Sequence, residues 1–181
     1  MKPTVILDSQ QFQLTIKRLC FQLIENHDNF ENSAIIGLQP RGIYLANRLK
    51  LELEKTLGKP VLTGALDITF FRDDFRRQNK PLIPSATNLD FSVEGKRLIL
   101  VDDVLFSGRT VRAGMEAAMT YGRPIEIELM TLIDRRFKRN IPIQPTYIGK
   151  SIDTIDEENV TVNWKETDGK DEVLLFNKKA Q

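Results

Sequence analysis

Short apolar runs alternate along this chain with segments whose apolar residues recur at helical spacing. Phe12, Ile16, Leu19, Leu23 and Ile24 return every few positions, which predicts a helix whose N-cap is Ser9. Ala34 to Leu38 reads as a strand, Ile43 to about Leu57 as a second helix ended by Gly58, and Val61 to Phe71 as the next strand. Leu98 to Val101 is apolar at every position, as in a central parallel strand covered on both faces. A helical stretch from about Val111 to Tyr121 and a strand from Ile125 to Ile133 follow. This order predicts a mostly parallel sheet with helices on both faces. The alternating residues around Val160 to Trp164 and Val173 to Phe176 suit a terminal hairpin, paired within or between chains.

Sheets of this kind bind ligands outside the carboxyl ends of their strands. Pro40-Arg41-Gly42, Asp102-Asp103 and Asp134-Arg135 all fall at such ends, so three separate segments point to one site. The densest signal runs from Arg97 to Ala113. Two carboxylates follow the apolar strand, then a loop with Gly108 between the hydroxyls of Ser107 and Thr110, then a helix. Glycine lets a backbone turn through positive φ and approach a ligand, and the amides of a helix's first turn favour an anion. Asp102 and Asp103 could accept hydrogen bonds from sugar hydroxyls or hold a divalent metal. Together these parts suggest a sugar phosphate. Neighbouring strand residues face opposite ways, so both carboxylates can serve one ligand only if the chain bends there.

Other phosphate sites are excluded by pattern. The chain has neither G-x-x-x-x-G-K-[ST] nor G-x-G-x-x-G after a strand. Its single histidine, His27, and single cysteine, Cys20, lie about two helical turns apart, roughly 10 Å, too far for a nucleophile pair. His27 reads as a surface residue at a helix end. Zinc-type spacing of His and Cys is absent. With 26 basic and 25 acidic residues in 181, the charge of +1 gives no global attraction to polyanions or membranes. No apolar run has the length of a membrane span, no signal-peptide pattern opens the chain, and one cysteine fits a reducing cytoplasm. The length suits one domain over residues 1–181.

Leu100-Val101-Asp102-Asp103-Val104-Leu105-Phe106-Ser107-Gly108-Arg109-Thr110 resembles the phosphoribosyl pyrophosphate (PRPP) motif of type I phosphoribosyltransferases. Pro40 to Ala46, Asp67-Ile68-Thr69 with Arg72-Asp73-Asp74, and Tyr147-Ile148-Gly149-Lys150 resemble, in order and spacing, the bifunctional pyrimidine operon attenuator and uracil phosphoribosyltransferase family. The resemblance runs from about Val5 into the last strands. It implies a type I phosphoribosyltransferase fold, α/β, with a small hood and a C-terminal β-hairpin. The implied reaction is uracil plus PRPP to UMP and pyrophosphate, with Mg2+ held mostly through PRPP and water by Asp102 and Asp103.

The resemblance implies a role for each matching residue. Phe106, Ser107, Gly108, Arg109 and Thr110 are expected at the 5-phosphate, Asp102 and Asp103 at the ribose hydroxyls, and Arg41, Gly42 and Arg72 at pyrophosphate. Ile133, Asp134 and Arg135 are expected near the base. A mobile catalytic loop is implied over the polar stretch from Arg72 to about Phe91, with its basic cluster Arg72, Arg76, Arg77 and Lys80. A cytoplasmic homo-oligomer, a dimer or larger, is implied as well.

A second reading is a UMP-responsive attenuator that binds a leader mRNA. Arg135, Arg136, Lys138 and Arg139 form a basic cluster, and Arg139 and Lys150 match RNA-contacting positions of the resembling family. Lys17, Phe21 and Asn26 stand where threonine, histidine and arginine are expected, and Gln144 where arginine is expected. Arg136 and Phe137, with a one-residue insertion, replace the usual glycine and histidine. These departures fall on the RNA face more than on the PRPP motif, which favours the enzyme. A third reading is a nonenzymatic nucleotide sensor on the same fold.

Overall fold

The computed structural model describes residues 3–73, 84–154 and 158–177. Its elements run β1 (Thr4–Leu7), α1 (Ser9–His27), β2 (Ser33–Leu38), α2 (Gly42–Leu57), β3 (Thr63–Leu66), a 3-10 turn (Thr69–Phe71), β4 (Arg97–Leu105), α3 (Arg109–Met119), β5 (Glu126–Arg136), β6 (Tyr147–Asp153), β7 (Glu158–Asn163), a short α4 (Lys165–Asp168) and β8 (Glu172–Asn177). Five strands form a parallel sheet in the order β3-β2-β4-β5-β6. The apolar run Leu98–Val101 lies in its central strand, as its pattern predicts. β1, β8 and β7 form a separate antiparallel sheet, and β7 and β8 are the predicted hairpin paired within the chain. The pattern along the sequence did not reveal β1 or β6.

Two apolar layers sandwich the parallel sheet. Phe12, Leu19 and Leu23 of α1 and Leu45, Leu49 and Leu53 of α2 pack on Ile35, Ile99, Val101 and Met130, joined by Val162 and Val173 of the small sheet and by Trp164 at the start of α4. On the other face, Val111, Ala113, Ala117 and Ala118 of α3 pack on Ile36, Leu38, Leu98 and Leu100. Such side chains contribute roughly 1.5–3 kcal/mol each when fully buried.

Three predicted boundaries move for physical reasons. The cap of α1 is Asp8, not Ser9: its carboxylate accepts the Gln11 amide at 2.8 Å, and the Gln11 side chain answers on the Asp8 amide. Ser9 instead donates to Asp171 O at 2.7 Å, joining α1 to the small sheet. The predicted strand Val61 to Phe71 stops at Leu66, because Asp67 Oδ1 accepts both the amide and the hydroxyl of Thr69 and turns the chain into the 3-10 segment. β4 continues past its two carboxylates to Leu105, whose amide is received by Thr131 Oγ1 inside the sheet at 3.1 Å.

His27 is also not where its sequence context placed it. It is buried at the amino end of the sheet, with Nδ1 2.8 Å from Ser33 Oγ and Nε2 2.7 Å from Glu128. Burial pushes its pKa below the ordinary histidine value, against the pull of Glu128. Arg76, Arg77 and Lys80 of the expected catalytic loop lie outside the described residues.

Candidate active site

The carboxyl end of β4 builds the site. Leu98 and Leu100 belong to the α3 layer and Ile99 and Val101 to the α1/α2 layer, but Val104 then packs with the α1/α2 layer and Leu105 with α3. Strict alternation would give the reverse, so the facing shifts by one residue at Asp102-Asp103. This is the bend that two adjacent carboxylates need. Both are buried.

Asp102 lines a cavity of about 430 Å³ together with Arg72, Asp73 and the whole run from Val104 to Val111. Burial, reinforced by the neighbouring charge of Asp103, pushes its pKa up to about 8, against the Asp103 amide that Oδ1 accepts at 2.9 Å and the more distant Arg72. Asp103 is raised as well: burial outweighs the Arg41 guanidinium, whose Nε donates to it at 3.1 Å. Two carboxylates held this way create a deficit of positive charge beside the cavity.

The other wall of the cavity is the β4–α3 turn. Gly108 sits at φ 88°, the left-handed conformation that glycine adopts without strain, and α3 begins with no side-chain cap. The Arg109 amide reaches Ser107 Oγ at 3.4 Å, and with no cap from Gly108 the amides that follow it suit an outside acceptor, backed by the positive end of the helix. Arg109 pairs with Asp73, and Arg112 reaches the Phe71 carbonyl at 2.9 Å, so α3 also holds the segment that leads to Arg72.

The predicted residues divide into two groups. Arg72, Asp102, Phe106, Ser107, Gly108, Arg109 and Thr110 line the cavity. Arg41 and Gly42 sit beside it at the start of α2, Arg41 held by Asp103 and by the Val162 carbonyl of β7. Any side chain at residue 42 would collide with the Val101 carbonyl, so Gly42 is what lets α2 approach β4.

Ile133 is wholly buried in the core. Arg135 is turned away, onto Thr154 Oγ1 at 3.1 Å and the Glu158 carbonyl at 2.8 Å, with its guanidinium 4.2 Å from the Phe106 ring centroid. Asp134 pairs with Arg139, and Lys150 donates to the Ile6 carbonyl at 3.0 Å. Sequence reasoning gave no site role to Val104, Leu105 and Val111, which line the cavity, or to Thr131, whose hydroxyl receives the Leu105 amide. The signal for Thr131 is a hydroxyl amid the apolar residues from Leu129 to Ile133.

The phosphoribosyl transferase domain family matches residues 4–167, nearly the whole chain. The chain belongs to that family. Among relatives of this phosphoribosyltransferase, "Bifunctional protein PyrR" of Elusimicrobium minutum is 40% identical over 172 residues, covering 95% of this chain and 96% of the relative. The protein of the same name from Bacillus cereus strain AH820 is 40% identical over 176 residues, covering 96% and 97%.

Solved structures share the phosphoribosyltransferase fold at much lower identity. A hypoxanthine phosphoribosyltransferase from Staphylococcus aureus aligns with a TM-score of 0.71 at 19% identity, covering 98% of this chain and 94% of that one. One from Trypanosoma cruzi aligns at 0.73 and 14%, covering 97% and 92%. No helix among the described residues is long and apolar enough to cross a membrane.

The donor chemistry of this phosphoribosyltransferase site suits magnesium. Among the described residues no three metal-ligating side chains converge. Asp102 and Asp103 supply carboxylate oxygens, and magnesium takes one or two such ligands while keeping waters and substrate oxygens as the others.

Proposed function

We propose that the protein transfers a phosphoribosyl group from PRPP to uracil, forming UMP and pyrophosphate. The observation that carries this reading is the cavity closed on one side by the buried Asp102 and on the other by the uncapped start of α3. That pairing of a hydroxyl acceptor and an anion cradle suits a ribose 5-phosphate. The choice of uracil draws on the PyrR relatives, since the hypoxanthine enzymes support the fold alone.

In this reading the amides and hydroxyls from Ser107 to Thr110 hold the 5-phosphate, with Phe106 opening that loop, and Asp102 and Asp103 receive the ribose hydroxyls. Arg41 and Arg72 face pyrophosphate, and Gly42 keeps Arg41 close to β4. Asp102 and Asp103 would hold magnesium, mostly through water and PRPP, and the ion would supply positive charge for the departing pyrophosphate. A base nitrogen bonds to C1 of the ribose as the bond from C1 to the pyrophosphate oxygen breaks, and the proton that the nitrogen loses passes to pyrophosphate or water. No covalent enzyme intermediate is required. Cys20, buried under α2 with its thiol pushed up to about 12 by burial and then by Glu52, is no nucleophile. The chain's contribution is positioning and charge stabilisation.

A panel of uracil, orotate, hypoxanthine, guanine and adenine with PRPP and Mg2+ tests the reading. UMP from uracil alone is expected. Turnover of hypoxanthine or guanine instead would overturn the base assignment, and PRPP binding without turnover would favour a sensor or regulator. The RNA reading draws on the basic cluster Arg135, Arg136, Lys138 and Arg139 and on Lys150; of these, Arg139 and Lys150 are engaged with internal carbonyls, which weighs toward the enzyme.

A further inference from the structure

We propose that Arg139 is a positioning residue that holds the 5-phosphate loop in its binding conformation. The inference rests on the reading of Ser107–Thr110 as the site of that phosphate. Arg139 lies beyond β5, outside the cavity lining, yet its guanidinium gathers the ends of two strands. Its Nε donates to the Ile143 carbonyl at 3.1 Å, and its Nη1 to the carbonyls of Arg135 at 3.1 Å, Leu105 at 3.4 Å and Phe106. Its Nη2 pairs with Asp134. Only 22% of the side chain is exposed, so little of it remains for an outside partner.

The brace continues in register. The Asn140 amide donates to the Ser107 carbonyl at 3.0 Å, and the Ile141 side chain lies 3.5 Å from where a Cβ on Gly108 would sit. Successive residues from Arg139 thus hold successive residues of the loop. A trans peptide carries its N–H opposite its carbonyl. With the carbonyls of Leu105, Phe106 and Ser107 all turned onto this brace, the amides of Phe106, Ser107 and Gly108 are left facing the other way, towards an anion in the cavity. An arginine is required because a planar fork of five donors can meet several carbonyls at once. A lysine brings the same charge on a single nitrogen.

Steady-state kinetics of the full-length protein with PRPP and its active base test this, using Arg139→Lys and Arg139→Gln. The KM for PRPP is expected to rise about tenfold or more in Arg139→Gln and severalfold in Arg139→Lys, with the base KM within about twofold and kcat less affected than the KM for PRPP. If Arg139→Gln does not fold, Arg139→Lys carries the test. A wild-type KM for PRPP in Arg139→Lys would show that charge alone matters and overturn the brace. So would a fall in kcat at constant KM, which is the mark of a smaller folded fraction. Failure of the wild-type protein to bind PRPP in calorimetry would overturn the site reading itself, and the brace with it.

Discussion

Arg41 donates from Nε to Asp103 Oδ2 across 3.1 Å, while Asp102, one residue earlier, faces the cavity and accepts the Asp103 amide. The two carboxylates, both assigned to the ribose in the proposed reading, therefore differ in what else holds them. Asp103 ties the loop after β2 to the end of β4, and Asp102 is left as the buried acceptor beside the cavity. Its raised pKa follows from burial and from the charge of Asp103 beside it, so without a ligand its ionised form is uncomfortable.

That discomfort has a measurable sign. Asp102 titrates near 3.8 unfolded and about 8 folded, so between these values the native chain holds a proton that the unfolded chain releases. Stability is full below the unfolded value and is lost as pH rises to about 8. Asp102→Asn removes this loss. The variant should be more stable than the wild type by up to a few kcal/mol at pH 8, with a gap in Tm that widens from pH 4 to 8 and then levels, while transferase activity falls at least a hundredfold. A gap in Tm independent of pH would refute it.

Two glycines of the site should fail differently when changed to alanine. At Gly108 the added methyl meets only ordinary contacts, so the cost is the left-handed φ, about 1–2 kcal/mol. Gly108→Ala should fold and show a raised KM for PRPP. At Gly42 the methyl has no room against the Val101 backbone, and α2 must move away from β4. Gly42→Ala should lose about 3 kcal/mol or more. Thermal melts of the two variants separate the cases, and equal loss in both would contradict this account.

Much of this arrangement is visible in the residues themselves. Leu98 to Val101 announces a buried strand because both faces are covered. Gly58 ends its helix at φ 69°, where a left-handed residue is needed. What escaped the sequence depends on partners far along the chain. Asp67 breaks a strand through Thr69 and through the Ser85 amide, 18 residues away. Arg139 belongs to a basic cluster in sequence, but the carbonyls that surround it come from the ends of β4 and β5 and from Ile143. Arg135 reads as a base contact by position, yet its guanidinium is used by Thr154 and Glu158. Periodicity reports which face a residue occupies and does not report which distant acceptors await it.

The same limit applied to His27, and its burial leads to the last prediction. Its ring joins Ser33, Glu128 and the Tyr147 hydroxyl, which is 3.1 Å from Nε2, and Arg97 lies 3.9 Å from Glu128. Burial is the main cause that lowers the His27 pKa, and Arg97 adds to it against Glu128. The folded chain therefore resists a proton that the unfolded chain accepts near 6.5. Stability from this histidine is present above that value and is lost as pH falls through the lower folded one. His27→Leu leaves the buried Glu128 and Ser33 short of a partner and should cost about 2–4 kcal/mol at neutral pH. Because the variant no longer has the group that titrates, its deficit should shrink as pH drops below 6.5. Denaturant unfolding of both proteins at pH 5, 6, 7 and 8 would show this, and a deficit that grows toward pH 5 would mean that His27 is charged in the folded protein. The kcat should be little changed, since the cluster lies at the amino end of the strands and the cavity at their carboxyl end.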